Sequence, residues 1–247
     1  MKAHRGFEPD LIVEATSVCD RQCPGCYAPN VVSRENPLKL LADRPDLFLA
    51  PARLEEALRQ LPPHSDTTLQ TIGIRGGEPT RHPALREILR VLARHSPNAD
   101  LYVETHGRWI LDECDERAAL LSSMIETRTI VKLSFDRMHG LSTAALQIMT
   151  RTLDAAGIRS CIAITELDEA SLAAARESCA WVADDRIIFQ KKAGTKDGLV
   201  RPKYAVIRPN GRIFSEVSMR PEFKTVDVLT PLASPQFRQE PAHEATN

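Results

Sequence analysis

Nowhere in the 247 residues is there a run of about 18 apolar side chains, so no segment is expected to span a bilayer. An excess of one charge is missing too. The chain has 32 Lys+Arg against 33 Asp+Glu, a formal net charge of -1, and this balance gives no global pull toward nucleic acid or an anionic membrane. The start, Met1 to Asp10, is charged and has no apolar stretch, which argues against a secretory leader and makes the cytoplasm the expected location. Internal repeats and low-complexity tracts are absent, so no repeat array is expected. Six cysteines are too few for a disulfide framework in a chain this long, and a reducing cytoplasm disfavours one. What is present is ordinary material for a globular protein: 43% of residues are hydrophobic, enough for one large domain, or a domain with a small appendage.

Short apolar runs alternate with longer helical patterns, which argues for βα units and a parallel sheet. Six strands are expected, at Leu11–Thr16, Thr71–Arg75, Leu101–His106, Ile130–Asp136, Cys161–Thr165 and Arg186–Gln190. Helices are expected at Leu54–Leu61, Pro83–His95, Glu113–Ile125, Leu141–Ala156 and Ser171–Val182. The second of these carries Leu85, Ile88, Leu89 and Leu92 on one stripe. Asn210-Gly211, between Tyr204–Arg208 and Arg212–Val217, marks a hairpin. From Thr230 the chain is rich in Pro, Ala and Gln and reads as a disordered tail. The expected division is a core over 1–192, a hairpin extension over 193–229 and a tail over 230–247. Six βα units can curl into a partial (β/α)6 barrel, an α/β fold whose sites lie at the carboxyl ends of the strands.

Strand alternation then assigns faces. Val131, Leu133 and Phe135 should meet the helices, which turns Lys132, Ser134 and Asp136 into the lumen. Glu14, Thr16, Arg75, Tyr102, Glu104, His106, Cys161 and Thr165 are placed inward in the same way. A barrel interior is normally apolar, and buried charge is costly unless paired or used. Structural ion pairs would account for single residues; a polar reaction chamber accounts for the set. After the strands come His106, Arg108 and Trp109, then Arg137, Met138 and His139, then Lys191, Lys192 and Lys196. On a shared rim they would form a basic mouth suited to an acidic small molecule, a nucleotide or a carboxylate-bearing peptide. Scattered surface charges are the plainer alternative.

Cys19, Cys23 and Cys26 follow the first strand with the spacing CxxxCxxC. Three thiolates can hold one face of a four-iron cluster and leave the fourth iron open. Structural zinc would need a fourth ligand, and none is adjacent in sequence. One βα unit later stands Gly76-Gly77-Glu78-Pro79. Its glycines permit close backbone approach to a ligand.

In these residues the chain resembles the radical S-adenosylmethionine (radical SAM) enzymes, from roughly Glu8 to Lys192. The resemblance implies a [4Fe-4S] cluster on Cys19, Cys23 and Cys26. It implies a SAM site at Gly76, Gly77, Glu78 and Pro79, with Glu104, Ser134, Asp136 and Tyr27 contributing. It also implies reductive SAM cleavage, hydrogen-atom abstraction from a small biosynthetic intermediate or a peptide, and an external one-electron donor such as flavodoxin or ferredoxin. Substrate candidates are Arg75, His106, Arg137, His139, Gln190 and Lys192. An activator that installs a glycyl radical in a partner protein, and a non-catalytic iron–sulfur protein, stay open. Two departures stand out. The aromatic residue that often precedes the third cysteine is Gly25 here, and Tyr27 follows it instead. Ser215 and Ser218 stand where a cysteine-rich extension would hold auxiliary clusters, and serine is a poor iron ligand. Cys114, Cys161 and Cys179 read as packing residues.

Overall fold

A computed structural model describes residues 9–23, 26, 31–61, 69–135, 139–166, 169–191 and 205–214. Tyr27, Asp136, Arg137, Lys192, Ser215, Ser218 and the tail lie outside the described residues. So does the side chain of Gln190.

In chain order the strands are β1 (Leu11–Thr16), β2 (Val18–Cys19), β3 (Val31–Val32), β4 (Thr71–Gly76), β5 (Asp100–Thr105), β6 (Ile130–Ser134), β7 (Ser160–Glu166), β8 (Ile187–Lys191), β9 (Ala205–Ile207) and β10 (Ile213–Phe214). The α-helices are α1 (Pro37–Asp43), α2 (Pro51–Gln60), α3 (Leu85–His95), α4 (Asp115–Glu126), α5 (Thr143–Ala155) and α6 (Glu169–Ser178). Eight strands form one sheet in the order β10-β9-β1-β4-β5-β6-β7-β8. All neighbours run parallel except β9 and β10. The architecture is the expected partial barrel, open and not closed on itself. No helix among the described residues is long and apolar enough to cross a membrane.

The outward faces make the core. Leu11, Val13 and Ala15 of β1, Ile72 and Ile74 of β4, Leu101 and Val103 of β5, and Val131 and Leu133 of β6 pack in one cluster with Leu85, Ile88, Leu89 and Leu92 of α3. Each buried Val, Leu or Ile contributes about 1.5–3 kcal/mol.

Two segments finish the free edge of β1. At its amino end the hairpin adds β9, pairing Leu11 with Ala205 and Val13 with Ile207. The hairpin is therefore continuous with the main sheet. At its carboxyl end the proline-punctuated stretch before Pro51 supplies a strap. There Leu49 N–H donates to Ala15 O (2.8 Å) and Ser17 N–H to Leu47 O (2.9 Å). The strap is held from below by His82, whose Nε2–H donates to Leu49 O (2.9 Å) while Nδ1 accepts from Ala84 N–H (3.0 Å).

The inward faces carry the expected charges, arranged as a row. Glu14 lies opposite Arg75, Glu104 opposite Lys132, and Lys132 opposite Cys161. Arg208 Nη1 meets Glu14 Oε2 at 2.8 Å, Arg75 Nη2 lies 3.7 Å from Glu14 Oε1, and Lys132 Nζ meets Glu104 Oε2 at 3.1 Å. Across five strands the row reads cation, anion, cation, anion, cation, and ends on a thiol. Lys132 is 1% exposed and Arg75 3%. Charges buried this deeply need compensating partners, and the alternation supplies them within the sheet. Cys161 and Cys179 are buried as expected, but Cys114 is exposed at the start of α4, so it is not a core residue.

Candidate active site

β1 stops at Thr16, but the chain stays extended. After Ser17 the chain resumes as β2, which pairs in parallel with β3, Val18 opposite Val31 and Cys19 opposite Val32. The loop between these short strands carries the other two cysteines. Cys26 N–H donates to Cys23 O (3.1 Å), so the last two cysteines share one turn. Cys19 is buried, Cys23 half-buried and Cys26 exposed, and all are free of disulfides. Burial pushes the Cys19 thiol up to about 12, and negative charge on Glu78, Asp20 and Cys23 adds to it, against a backbone hydrogen bond at Arg21. Cys23 thus lies within electrostatic reach of Cys19. This donor set, one thiol at the end of β2 and two in the loop after it, fits an iron–sulfur cluster with one iron left open.

The Gly-Gly-Glu-Pro segment, at the end of β4, braces that loop. Gly77 N–H donates to Thr16 O and Glu78 N–H to Val18 O, both at 2.8 Å. A Cβ on Gly77 would sit 2.1 Å from Val18 O and 2.9 Å from Cys19 N; one on Gly76 would sit 2.1 Å from Thr16 O. Gly76 also has φ +144°, where side chains are strained. The close approach these glycines allow is to the chain's own cysteine-bearing backbone.

Glu78 is 2% exposed and fully engaged. Its Oε1 accepts from Thr80 Oγ1 (2.7 Å), Thr80 N–H (3.2 Å) and Thr105 Oγ1 (2.7 Å), and Oε2 accepts from His106 N–H (3.1 Å). The carboxylate of the motif is therefore committed to the fold, as are the amides of Gly77 and Glu78. Pro79 opens a single 3-10 turn, Pro79–Arg81.

His106, just past β5, meets both segments. Its Nε2–H donates to Asp20 Oδ1 (2.9 Å) and lies 3.3 Å from Glu78 Oε2. Nδ1 accepts from Arg108 N–H (3.2 Å), which selects the form protonated at Nε2. Burial lowers the proton affinity of the ring, and the carboxylates of Glu78 and Asp20 outweigh it, a net rise. The His106 hydrogen bond in turn holds Asp20 below the usual carboxylate range. Cys19 Sγ, Asp20 and His106 have ligand atoms all within 4.8 Å of one another.

The other sequence candidates fall at two depths. Glu14, Arg75, Glu104 and Lys132 belong to the charge row, where Glu104 Oε1 reaches within 3.3 Å of the Cβ position of Gly73. Ser134 closes β6, half-buried and opposite Ala163. Arg108 is exposed and His139 half-buried. Trp109 turns inward, donating from Nε1 to Thr105 Oγ1 (3.2 Å) and packing on the core. Sequence reasoning missed Asp20, Thr80 and Thr105. Only their proximity to a motif marked them.

No family model matches the sequence, and a search of curated proteins finds no match. Solved structures do resemble it. SuiB of Streptococcus suis, bound to its precursor peptide SuiA, superposes with a TM-score of 0.54 at 15% identity, covering 81% of this chain and 43% of SuiB. The enzyme anSMEcpe with bound AdoMet gives 0.49 at 15% identity, covering 78% of this chain and 54% of that one. BtrN in complex with AdoMet and 2-DOIA gives 0.37 at 17% identity, covering 85% and 73%. The chain thus spans about half the length of the first two. Of the three, SuiB superposes well enough to establish a shared fold. SuiB is a radical SAM enzyme, and the chain has the partial-barrel fold of that enzyme.

Proposed function

We propose that this protein is a radical SAM enzyme, holding a [4Fe-4S] cluster on Cys19, Cys23 and Cys26 and acting on a peptide or a small molecule. One observation carries the reading: the strand segment that leads into the three cysteines is bonded, at Thr16 and Val18, main chain to main chain onto the Gly-Gly-Glu-Pro turn. That contact supports the reading, because the resemblance assigns the cluster to the cysteines that follow Val18 and SAM to the Gly-Gly-Glu-Pro turn. When bound, cluster and SAM together supply an electron and a hydrogen-abstracting radical.

The chain's own residues do the rest. Thr105, Thr80 and the His106 amide hold Glu78, and Glu78 holds the turn against the cysteine loop. Ser134, with Asp136 and Tyr27 by resemblance, would contact SAM. Below them the charge row forms a self-compensated floor, so Arg75 and Glu104 shape the chamber and keep water out of it. His139, Arg137, Gln190 and Lys192 remain the candidates to meet substrate. SuiB binds a precursor peptide, which supports a peptide substrate here. By the same resemblance the enzyme would be reduced by an external donor such as flavodoxin or ferredoxin, with the cytoplasm as its expected location.

The test is anaerobic reconstitution followed by reduction with SAM present. The expected result is about four irons per chain and release of 5′-deoxyadenosine. Both should be lost on replacing any of the three cysteines with Ala.

Zinc is a second reading, because the fold brings His106 beside Cys19 and Asp20, a donor set zinc accepts. Ligation through Nε2 would need the proton on Nδ1, where it would face the Arg108 N–H. Stoichiometric zinc without iron absorbance in anaerobically purified protein would decide for it.

A further inference from the structure

We infer that His106 is a positioning residue for the cluster loop: its Nε2–H ties Asp20, the neighbour of Cys19, to the Glu78 brace, and so holds the loop ready to load. The inference rests on the cluster reading above and deepens it.

Four observations support it. His106 is 6% exposed, in a position where a solvated surface histidine would not sit. Both ring nitrogens are engaged, Nδ1 by the Arg108 amide and Nε2 by Asp20 and Glu78. In this arrangement both nitrogens are spent on neighbouring protein groups, which the ring thereby orients. Asp20 Oδ1 has two partners, His106 Nε2 at 2.9 Å and Cys19 Sγ at 4.0 Å. The ring therefore fixes a carboxylate that the first cysteine faces. Finally, the residue that meets Asp20 follows β5, two strands from β1 in the sheet order. Main-chain bonds from Gly77 and Glu78 anchor Thr16 and Val18, and His106 adds a side-chain anchor two residues beyond the last of them.

A buried hydrogen bond to a charged group restricts the local opening of the segment it holds. Without the imidazole, Asp20 would have to find water, and the segment that presents Cys19 would sample conformations in which its sulfur is turned away. The cluster would load more slowly and leave faster, while the barrel, whose core lies on the other face of the sheet, would keep its stability.

The test uses the full chain with His106→Ala, His106→Gln and Asp20→Asn. In the iron-free protein, amide exchange over residues 18–22 should be about tenfold faster in His106→Ala, with the thermal midpoint unchanged. In the reconstituted protein, iron loss to a chelator should be at least about threefold faster, and the change in cluster EPR signal on adding SAM should be altered. His106→Gln, whose amide N–H can reach Asp20, and Asp20→Asn, which keeps the acceptor, should both behave close to the parent. Wild-type exchange and iron loss in His106→Ala would overturn the inference. So would a His106→Gln as impaired as His106→Ala, or exchange that rises over the whole barrel together with a lowered midpoint. The exchange result stands apart from the identity of the metal: a chain that binds no iron would refute the cluster reading and leave the anchor intact.

Discussion

Gly77→Ala tests how the brace and the cysteine loop fit. The added Cβ would sit 2.1 Å from Val18 O, 2.4 Å from Val18 C and 2.9 Å from Cys19 N. Ordinary contact is about 3.5 Å, so the main chain must give by roughly 1.4 Å. Backbone crowds the site, and no flexible side chain can rotate out of the way. The movement strains or breaks the bonds from Gly77 N–H to Thr16 O and from Glu78 N–H to Val18 O, each worth about 1 kcal/mol net. Overpacking adds about 1–3 kcal/mol. The cost is about 3–5 kcal/mol in all, a lowering of the midpoint by roughly 6–20 °C at about 2–4 °C per kcal/mol. The assays are the thermal midpoint of the iron-free protein and iron per chain after anaerobic reconstitution. Both should fall, because the displaced atoms belong to the strand that delivers Cys19. A variant that melts like the parent, takes up full iron and loses only SAM affinity would show that the glycine faces ligand, and the steric reasoning would fail.

Lys132→Met leaves Glu104 buried beside an uncharged neighbour and should cost about 3–5 kcal/mol in denaturant titrations. Adding Glu104→Gln should recover most of that, and strict additivity of the two would refute the charge row as a coupled unit. His82 is buried with its pKa lowered from 6.5 to about 4, chiefly by desolvation. Only the unfolded chain then binds that proton between those values, so stability should fall as pH drops through this window, by about 3 kcal/mol, and level off below it. In His82→Gln this component should vanish; an equal acid slope in both proteins would refute it. Cys161→Ala should cost about 1 kcal/mol and leave turnover intact, whereas SAM cleavage without product would make Cys161 a hydrogen donor.

The barrel was legible because its strands alternate. Val131, Leu133 and Phe135 on one face and Lys132 and Ser134 on the other are enough to orient β6. The cysteine loop and the Gly-Gly-Glu-Pro turn were legible as motifs, but not the reason for the glycines. Periodicity says nothing of where a loop returns, and the contact between Gly77 and Val18 joins segments about sixty residues apart. Asp20 was hidden for the same reason, since a carboxylate in a loop acquires meaning only from the histidine that folds against it. His106 was expected on the inward face of a strand, and β5 ends one residue earlier. Its ring therefore turns toward the loop and not down into the lumen.

The hairpin's place beside β1 also bears on how the molecule is made. Leu11 pairs with Ala205, roughly 190 residues later in the chain. At about 5–20 residues per second of synthesis, some 10–40 s separate the emergence of the two strands. Through that interval β1, which leads into the first cysteine, has an open edge, a risk for unwanted pairing with other chains. Truncation before Ala205 would make that exposure permanent. A nascent barrel would therefore carry that open edge until β9 had paired with β1.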